Sequence, residues 1–208
     1  MRLDATSHHR GILEDAKQWT VAKARTYAMV WTTAIVAPWI CFTDFITERD
    51  QTRAIGFIVL MVVFWQLMTV LLGEPSHPII GNSPTVSLIV WTVLLALFVA
   101  PVAIHLLAFV TTLVLIAVVE ERASVSETVQ VLAYATAPVV FLPIPVVALQ
   151  VAIGLYGSFI LVYGLRVVHE ISIWRALLAG IIPAYLLFGM GFGADDALLE
   201  LLRGYRII

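Results

Sequence analysis

Five long apolar stretches, separated by short polar or proline-rich breaks, set the pattern of the 208-residue chain. Charged side chains are almost confined to the breaks, and each stretch is long enough to cross a bilayer as a helix. The pattern therefore predicts an all-α, polytopic helical membrane protein. The stretches are 54–73, 86–119, a helix that starts after Ser124 and ends at Pro143 and Pro145, 146–165, and 174–192.

The 86–119 stretch is longer than one crossing requires. As a helix rising about 1.5 Å per residue it would extend roughly 50 Å, whereas a hydrocarbon core is about 30 Å thick. It contains no polar turn at which the chain would reverse. We therefore expect one long helix, tilted or kinked at Pro101.

Segment 28–46 decides the number of spans. It is long enough to cross, but Pro38 interrupts it and Asp44 lies near its far end. If it does not fully cross, about ten of the 12 Lys and Arg residues fall on the inner side; if it crosses, only about seven do. The positive-inside rule thus favours five full spans, a cytoplasmic N-terminus and an interfacial or re-entrant 28–46 segment, with six spans as the alternative.

The ends of the chain differ from its middle. Apolar residues recur at helical spacing over 11–27, which predicts either an amphipathic helix on the membrane surface or a solvated helix packed on the protein's own inner face. We accordingly divide the chain into three parts. They are a cytoplasmic part with the interfacial segment (1–53), a transmembrane helical domain (54–193) and a short, amphipathic C-terminal tail (194–208).

Composition excludes several classes of protein. Hydrophobic residues make up 61% of the chain and charged residues 12%, with a mean hydropathy of +0.99, far from the soluble globular range. The net charge of −2 does not suit nucleic-acid binding. Cys41 is the single cysteine, so an internal disulfide and a cysteine-based zinc site are excluded, and we expect no cofactor.

His105 is the ionisable side chain placed deepest in a predicted span. Buried ionisable groups in membranes are expensive and often functional, so His105 could relay a proton, bind a cofactor such as haem axially, or form a hydrogen bond to a neighbouring helix. The structural interpretation is that His105 satisfies a carbonyl group freed by Pro101.

Two charged segments flank the later spans and are predicted to share the cytoplasmic face. They offer a surface for a partner, although charges at span ends are commonly a solvated boundary. Ser124 and Glu127 have the spacing of a capping box. Tyr134 and Pro138 share a helical face, where Tyr134 either hydrogen-bonds to another helix or packs around a kink. The candidates in these segments are Glu120, Glu121, Arg122, Glu127, His169, Glu170 and Arg175.

The C-terminal three-fifths of the chain resembles the core of the Yip-type (Ypt/Rab-interacting protein) family of membrane proteins. The matching residues are Ser126-Glu127, Tyr134-Ala135-Thr136-Ala137-Pro138, Pro143 and Pro145, Gly164-Leu165, and His169, Ser172 and Arg175-Ala176-Leu177. The resemblance implies five spans, a cytoplasmic N-terminus, a non-enzymatic role and membership of the prokaryotic or archaeal branch. GTPase binding, known for eukaryotic relatives, is not carried over to this chain.

No serine, threonine or cysteine nucleophile has a recognisable base nearby in the sequence, so we do not expect an enzyme. We expect a scaffold or accessory subunit of the plasma membrane that binds lipids and a partner membrane protein, or a second copy of itself. The alternative is a small permease or transporter component acting as an oligomer, since helices broken at Pro101, Pro138 and Pro183 can coordinate substrates through their ends.

Overall fold

The computed structural model describes residues 5–72 and 83–205, with side chains from residue 20 onward in the first range. These residues are mostly helical and include no β-strand. The helices are α1 (Ala5–Val36), α2 (Pro38–Asp44), α3 (Thr52–Leu71), α4 (Pro84–Leu94), α5 (Ala100–Val118), α6 (Val125–Ala135), α7 (Val147–Val168), α8 (Ile173–Ala184) and α9 (Ala194–Gly204). Two π-helical segments, Leu95–Val99 and Tyr185–Gly191, and the 3₁₀ segment Ala137–Phe141 join or extend them.

Within the described ranges, four helical segments are long and apolar enough to cross a membrane: Thr52–Leu71, Pro84–Val118, Val147–Val168 and Ile173–Gly191. Val125–Phe141 is a shorter apolar helical segment. All five correspond to the predicted stretches, with ends shifted by a few residues. The predicted all-α membrane architecture is therefore confirmed.

The predicted long helix is present as Pro84–Val118, and its irregularity lies just before Pro101. Proline has no N–H to donate, and its ring clashes with the carbonyl group four residues earlier, here that of Leu97. The π-helical turn Leu95–Val99 widens the helix at this point, and α5 continues beyond it.

Segment 28–46 forms a helical hairpin. Helix α1 runs through residues 27 and 28 without a break, because no glycine or proline occurs between Gly11 and Pro38. Pro38 disfavours helical geometry at Ala37, whose φ and ψ are −144° and 66°. Helix α2 then folds back, so that Cys41 Sγ lies 4.0 Å from the Val30 carbonyl oxygen. Along a continuous helix these residues would be about 16 Å apart.

Three hydrogen-bonded contacts hold the hairpin against the later helices. The Tyr156 hydroxyl donates to the carbonyl oxygen of Ile35 at the end of α1. The Trp31 indole donates to the Ala137 carbonyl oxygen at 2.8 Å. Beyond α2, the Gln130 amide accepts from Thr47 N at 2.8 Å and donates to Thr47 O at 2.7 Å.

Helix α7 contacts α2, α6, α8 and α9, and glycines allow this close packing. A Cβ atom added at Gly164 would lie 2.6 Å from the ring of Phe42 in α2 and 2.8 Å from Val131 in α6. Only glycine, which has no side chain, fits at the position where α7 packs against both α2 and α6. Gly164 thus sets the distance between α7 and the hairpin.

Some sequence predictions concern residues that the structure does not describe. The amphipathic face predicted over 11–27 falls largely on side chains outside the described set, as does most of the 73–83 connection. The C-terminal tail contains helix α9, in which Ala194 and Ala197 are buried and Leu198 and Leu199 are exposed.

Candidate functional site

A cleft of about 580 Å³ lies between the end of α5 and the turn from α7 to α8. Four charged side chains line it: Glu120 and Glu121 after α5, Glu170 in the turn, and Arg175 in the first turn of α8. All four are exposed. The structure therefore brings together two charged segments that are about fifty residues apart in the chain.

Helix α6 begins just after the Glu120 and Glu121 segment, and its N-terminus is capped. Ser124 and Glu127 form the capping box predicted from their spacing, and the Glu127 carboxylate accepts from Ser124 N at 2.5 Å. The Glu127 side chain is thus engaged in starting α6. Arg122 is exposed in the same turn but is not among the residues that line the cleft.

The wall formed by the α7–α8 turn is a Schellman motif. Ile171 N donates to Arg166 O at 3.1 Å, and Glu170 N donates to Val167 O at 3.3 Å. This motif places Glu170 in the left-handed region, with φ of 52°. Glycine is the usual residue at this position because other residues are strained there. The two hydrogen bonds of the motif fix the backbone that carries Glu170 at the cleft.

His169 lies behind Glu170 and is buried, with 3% of its surface exposed. Its Nε2 atom contacts the Thr128 hydroxyl of α6 at 3.1 Å, whereas its Nδ1 atom has no hydrogen-bond partner among the described residues. Burial lowers the pKa of His169 from 6.5 to about 4; nearby Glu127 acts in the opposite direction and Arg122 in the same one. His169 is therefore a neutral link between α6 and the α7–α8 turn near neutral pH.

The charges of the cleft are predominantly negative, with three carboxylates and one guanidinium group. The Schellman motif holds the backbone of Glu170, whereas Glu120 and Glu121 lie in the bend between α5 and α6. Such a cleft suits a positively charged ligand that approaches from the end of the helical bundle.

His105 lies elsewhere and is exposed. Its Nδ1 atom is 2.6 Å from the carbonyl oxygen of Pro101, and its Nε2 atom is 3.1 Å from the amide nitrogen of Gln51. A carbonyl accepts and an amide nitrogen donates, so the neutral tautomer with the proton on Nδ1 satisfies both contacts. The contact is with the carbonyl group of Pro101 itself, whereas the carbonyl group that this proline frees is that of Leu97.

Tyr134 and Pro138 are both buried. The Tyr134 hydroxyl has no hydrogen-bond partner among the described residues, and its ring packs edge-on against Phe57 at 5.4 Å. Of the two interpretations of Tyr134, the geometry favours packing. Pro138 is the second residue of the 3₁₀ segment Ala137–Phe141, so α6 ends before it instead of kinking around it.

The sequence interpretation missed Thr128 and Gln130, which link α6 to the α7–α8 turn and to the hairpin. Their signal was available, because both are polar side chains at the point where α6 becomes apolar. Such residues face the protein interior, where a partner exists. Gln130 and Thr128 are indeed buried.

The comparison with protein families identifies the chain. The family model of the Yip1 domain matches residues 28–194. The chain belongs to the Yip1 domain family. The match begins in α1, includes the hairpin and the cleft, and ends at the first residue of α9. It reaches further toward the N-terminus than the resemblance found in the sequence. No curated protein and no solved structure shows significant similarity to the chain.

Yip1 domain proteins are membrane proteins, and the apolar helices described above agree with this. The chain is therefore a multi-pass membrane protein. Within residues 5–72 and 83–205, no group of three or more His, Cys, Asp or Glu side chains is arranged to hold a metal ion.

Proposed function

We propose that this Yip1 domain protein is a non-enzymatic scaffold or accessory subunit, and that its charged cleft binds a segment of a partner membrane protein. The observation that supports this most directly is the meeting of Glu120, Glu121, Glu170 and Arg175 in one cleft. The cleft lies where two helical segments able to cross a membrane, Pro84–Val118 and Val147–Val168, end.

The chemistry of the cleft selects the partner. Three carboxylates around one arginine attract Lys and Arg side chains and repel acidic ones, which determines specificity more than affinity. Membrane proteins carry such basic residues next to their spans on the cytoplasmic side. The partner segment that fits is therefore a basic stretch adjacent to a membrane span, either of another protein or of a second copy of this chain. Lipids contact the exposed apolar flanks of the helices.

The proposed topology has five spans, with the N-terminus and the cleft in the cytoplasm and the protein in the plasma membrane. The hairpin supports it, because α2 returns toward the side from which α1 enters. With the hairpin not crossing, Arg49 and Arg53 stay on the side of α1, as the charge distribution favours.

Cysteine accessibility tests this topology. Cys41 is buried, and Cys41→Ala leaves a chain without cysteine into which single cysteines can be placed. In sealed cells, Arg49→Cys and Glu121→Cys should resist a membrane-impermeant maleimide, whereas Tyr205→Cys should react. Labelling of Arg49→Cys and Glu121→Cys, with Tyr205→Cys protected, would instead indicate six spans.

Transport by an oligomer is the second candidate, supported by the break at Ala37 and the π-helical turns near Pro101 and Pro183. Broken helices serve transporters when their free backbone groups bind the substrate. Here the Ile35 carbonyl group at the hairpin tip already accepts from Tyr156. Because this carbonyl group is not free to bind a substrate, the scaffold is the better supported function.

Copurification decides between the two functions. The full chain is purified gently from its native membrane, and proteins bound in stoichiometric amount are identified by mass spectrometry. The variant Glu120→Gln/Glu121→Gln/Glu170→Gln should lose the partner, whereas Asp50→Asn, outside the cleft, should keep it. A partner retained equally by both variants would contradict binding in the cleft. Protein recovered without a partner, together with substrate flux in liposomes, would favour transport.

A further inference from the structure

A second cavity, of about 280 Å³, lies at the opposite end of α7 from the cleft. Gln150 of the first turn of α7 lines it, whereas Glu170, which follows the last turn, lines the cleft. Twenty residues of helix separate these levels by about 30 Å, the thickness of a hydrocarbon core. The remaining lining residues are Trp65 and Thr69 of α3, Leu142 and Pro143 of the turn before α7, and Phe192, Gly193, Asp196, Ala197 and Glu200.

Two aromatic rings form part of the wall. Trp65 and Phe192 pack edge to face, with ring centroids 5.5 Å apart and an interplanar angle of 83°. Both side chains are half-buried, so each ring also borders the cavity. Aromatic faces attract cations, and tryptophan does so most strongly.

The other polar side chains of the cavity present acceptors. The Thr69 hydroxyl already donates to Trp65 O at 2.9 Å, and the Gln150 amide nitrogen donates to Leu142 O at 3.1 Å. Asp196 and Glu200 are one helical turn apart on α9 and, when ionised, only accept hydrogen bonds. Among the described residues that line the cavity, none is a lysine, arginine or histidine. The cavity thus offers oxygen atoms and aromatic rings to a ligand that donates protons and carries positive charge.

We propose that this cavity binds a primary ammonium group. An ammonium has three N–H donors for the oxygen atoms of Asp196, Glu200 and Gln150, and a charge for the indole ring of Trp65. The cavity lies where α3 ends and α7 begins, which is the level of lipid headgroups. Two sources of this chemistry exist there, the headgroup of phosphatidylethanolamine and a free amine in solution. The proposal does not depend on the function of the cleft.

Native mass spectrometry of the purified full chain provides the test. Phosphatidylethanolamine, phosphatidylcholine and phosphatidylglycerol of identical acyl composition are titrated separately, and a dissociation constant is determined for each. Phosphatidylethanolamine should bind about tenfold more tightly than phosphatidylglycerol. Phosphatidylcholine, whose quaternary ammonium has no N–H donor, should fall between them. Equal affinity for the three lipids would overturn the proposal.

Matched variants assign the effect to the cavity. Asp196→Asn/Glu200→Gln should weaken phosphatidylethanolamine binding about tenfold and leave phosphatidylglycerol binding unchanged. Asp195→Asn removes one charge from the same helix but outside this cavity, and should bind like the wild type. Circular dichroism checks that all variants are folded. A folded double variant with wild-type lipid preference would overturn the proposal.

Competition with ethanolamine separates the two sources. Displacement of phosphatidylethanolamine by millimolar ethanolamine would show that the site recognises the ammonium group itself. If the lipid preference is present and ethanolamine does not compete, the ligand is the lipid, whose acyl chains then contribute to binding. Either result supports ammonium recognition, whereas the affinity and variant measurements above can refute it.

Discussion

Helix α6 is apolar, and so is the segment formed by α4 and the π-helical turn Leu95–Val99. The two differ in burial, because α6 is enclosed by other helices and the α4 segment is mostly exposed. Every residue of α6 from Thr128 to Ala135 is buried. In α4 and the π-helical turn, only Ser87 and Ala96 are. The Pro84–Val118 segment is the most apolar of the four candidate spans and also the least buried, with 22% of its most apolar window inside the protein.

The comparison shows that high hydropathy in this chain does not indicate burial within the protein. Lipid tails are as apolar as leucine, so apolarity by itself gives no reason for helices to associate. Helix α6 is instead distinguished by Thr128, Gln130 and Tyr134, and by the small residues opposite it. Hydrogen bonds and close helix–helix packing determine which elements α6 contacts.

The most damaging change to the surroundings of α6 should be Gly164→Leu. A leucine side chain would overlap Phe42 and Val131, and overpacking of this kind should lower the free energy of unfolding by more than about 3 kcal/mol. SDS-induced unfolding, followed by circular dichroism, measures the loss. Val102→Leu on the lipid-facing side of the long helix, where the side chain is 58% exposed, is the control and should change little. Similar losses at both positions would remove the proposed difference between the regions.

Acidification should weaken the link between α6 and the α7–α8 turn. In the folded protein burial lowers the pKa of His169 from 6.5 to about 4. Between these values the unfolded chain binds a proton that the folded protein does not, so stability falls as the pH decreases from 6.5 to 4. The loss should reach roughly 3 kcal/mol and level off below pH 4.

Unfolding measured at pH 7, 6, 5 and 4 tests this expectation. The variant His169→Asn should lose most of the pH dependence, whereas His105→Asn, at an exposed histidine, should keep it. A wild-type protein equally stable at pH 7 and pH 4.5 would show that His169 takes up its proton without cost.

The sequence predicted the helical segments well, because charged breaks and prolines mark the ends of apolar stretches. It also predicted the capping box at Ser124 and Glu127 and the shared face of the Glu120 and Glu170 segments, since local spacing and charge distribution determine both. The partners of Gln130, His169 and Trp65 were not predictable. These partners depend on which helices contact each other, and helices of similar hydropathy do not indicate which of them are neighbours.

Gln130→Leu should break the contact between α6 and the end of the hairpin. The substitution leaves the N–H and C=O groups of Thr47 without the partners that now lie within 2.8 Å. Loss of these two hydrogen bonds, at roughly 1 kcal/mol each, should cost about 2 kcal/mol in the same unfolding assay. Thr112→Val is the matched control, because the Thr112 hydroxyl is buried without a partner among the described residues. Its removal should leave stability unchanged or slightly raised, and a loss comparable to that of Gln130→Leu would contradict this assignment.

The smallest expected effect is a gain in stability, from Glu170→Gly at the edge of the region around α6. Glycine adopts the left-handed conformation of this Schellman position without strain, so the free energy of unfolding should rise by about 0.5–1 kcal/mol. The same change removes one carboxylate from the cleft and should weaken partner binding in the copurification assay. Glu170→Gln keeps the strain and removes the charge, so it should lose binding without gaining stability. If the glycine variant is more stable and still binds its partner fully, the strained glutamate has no role in binding, and the cleft must recognise its partner through Glu120 and Glu121.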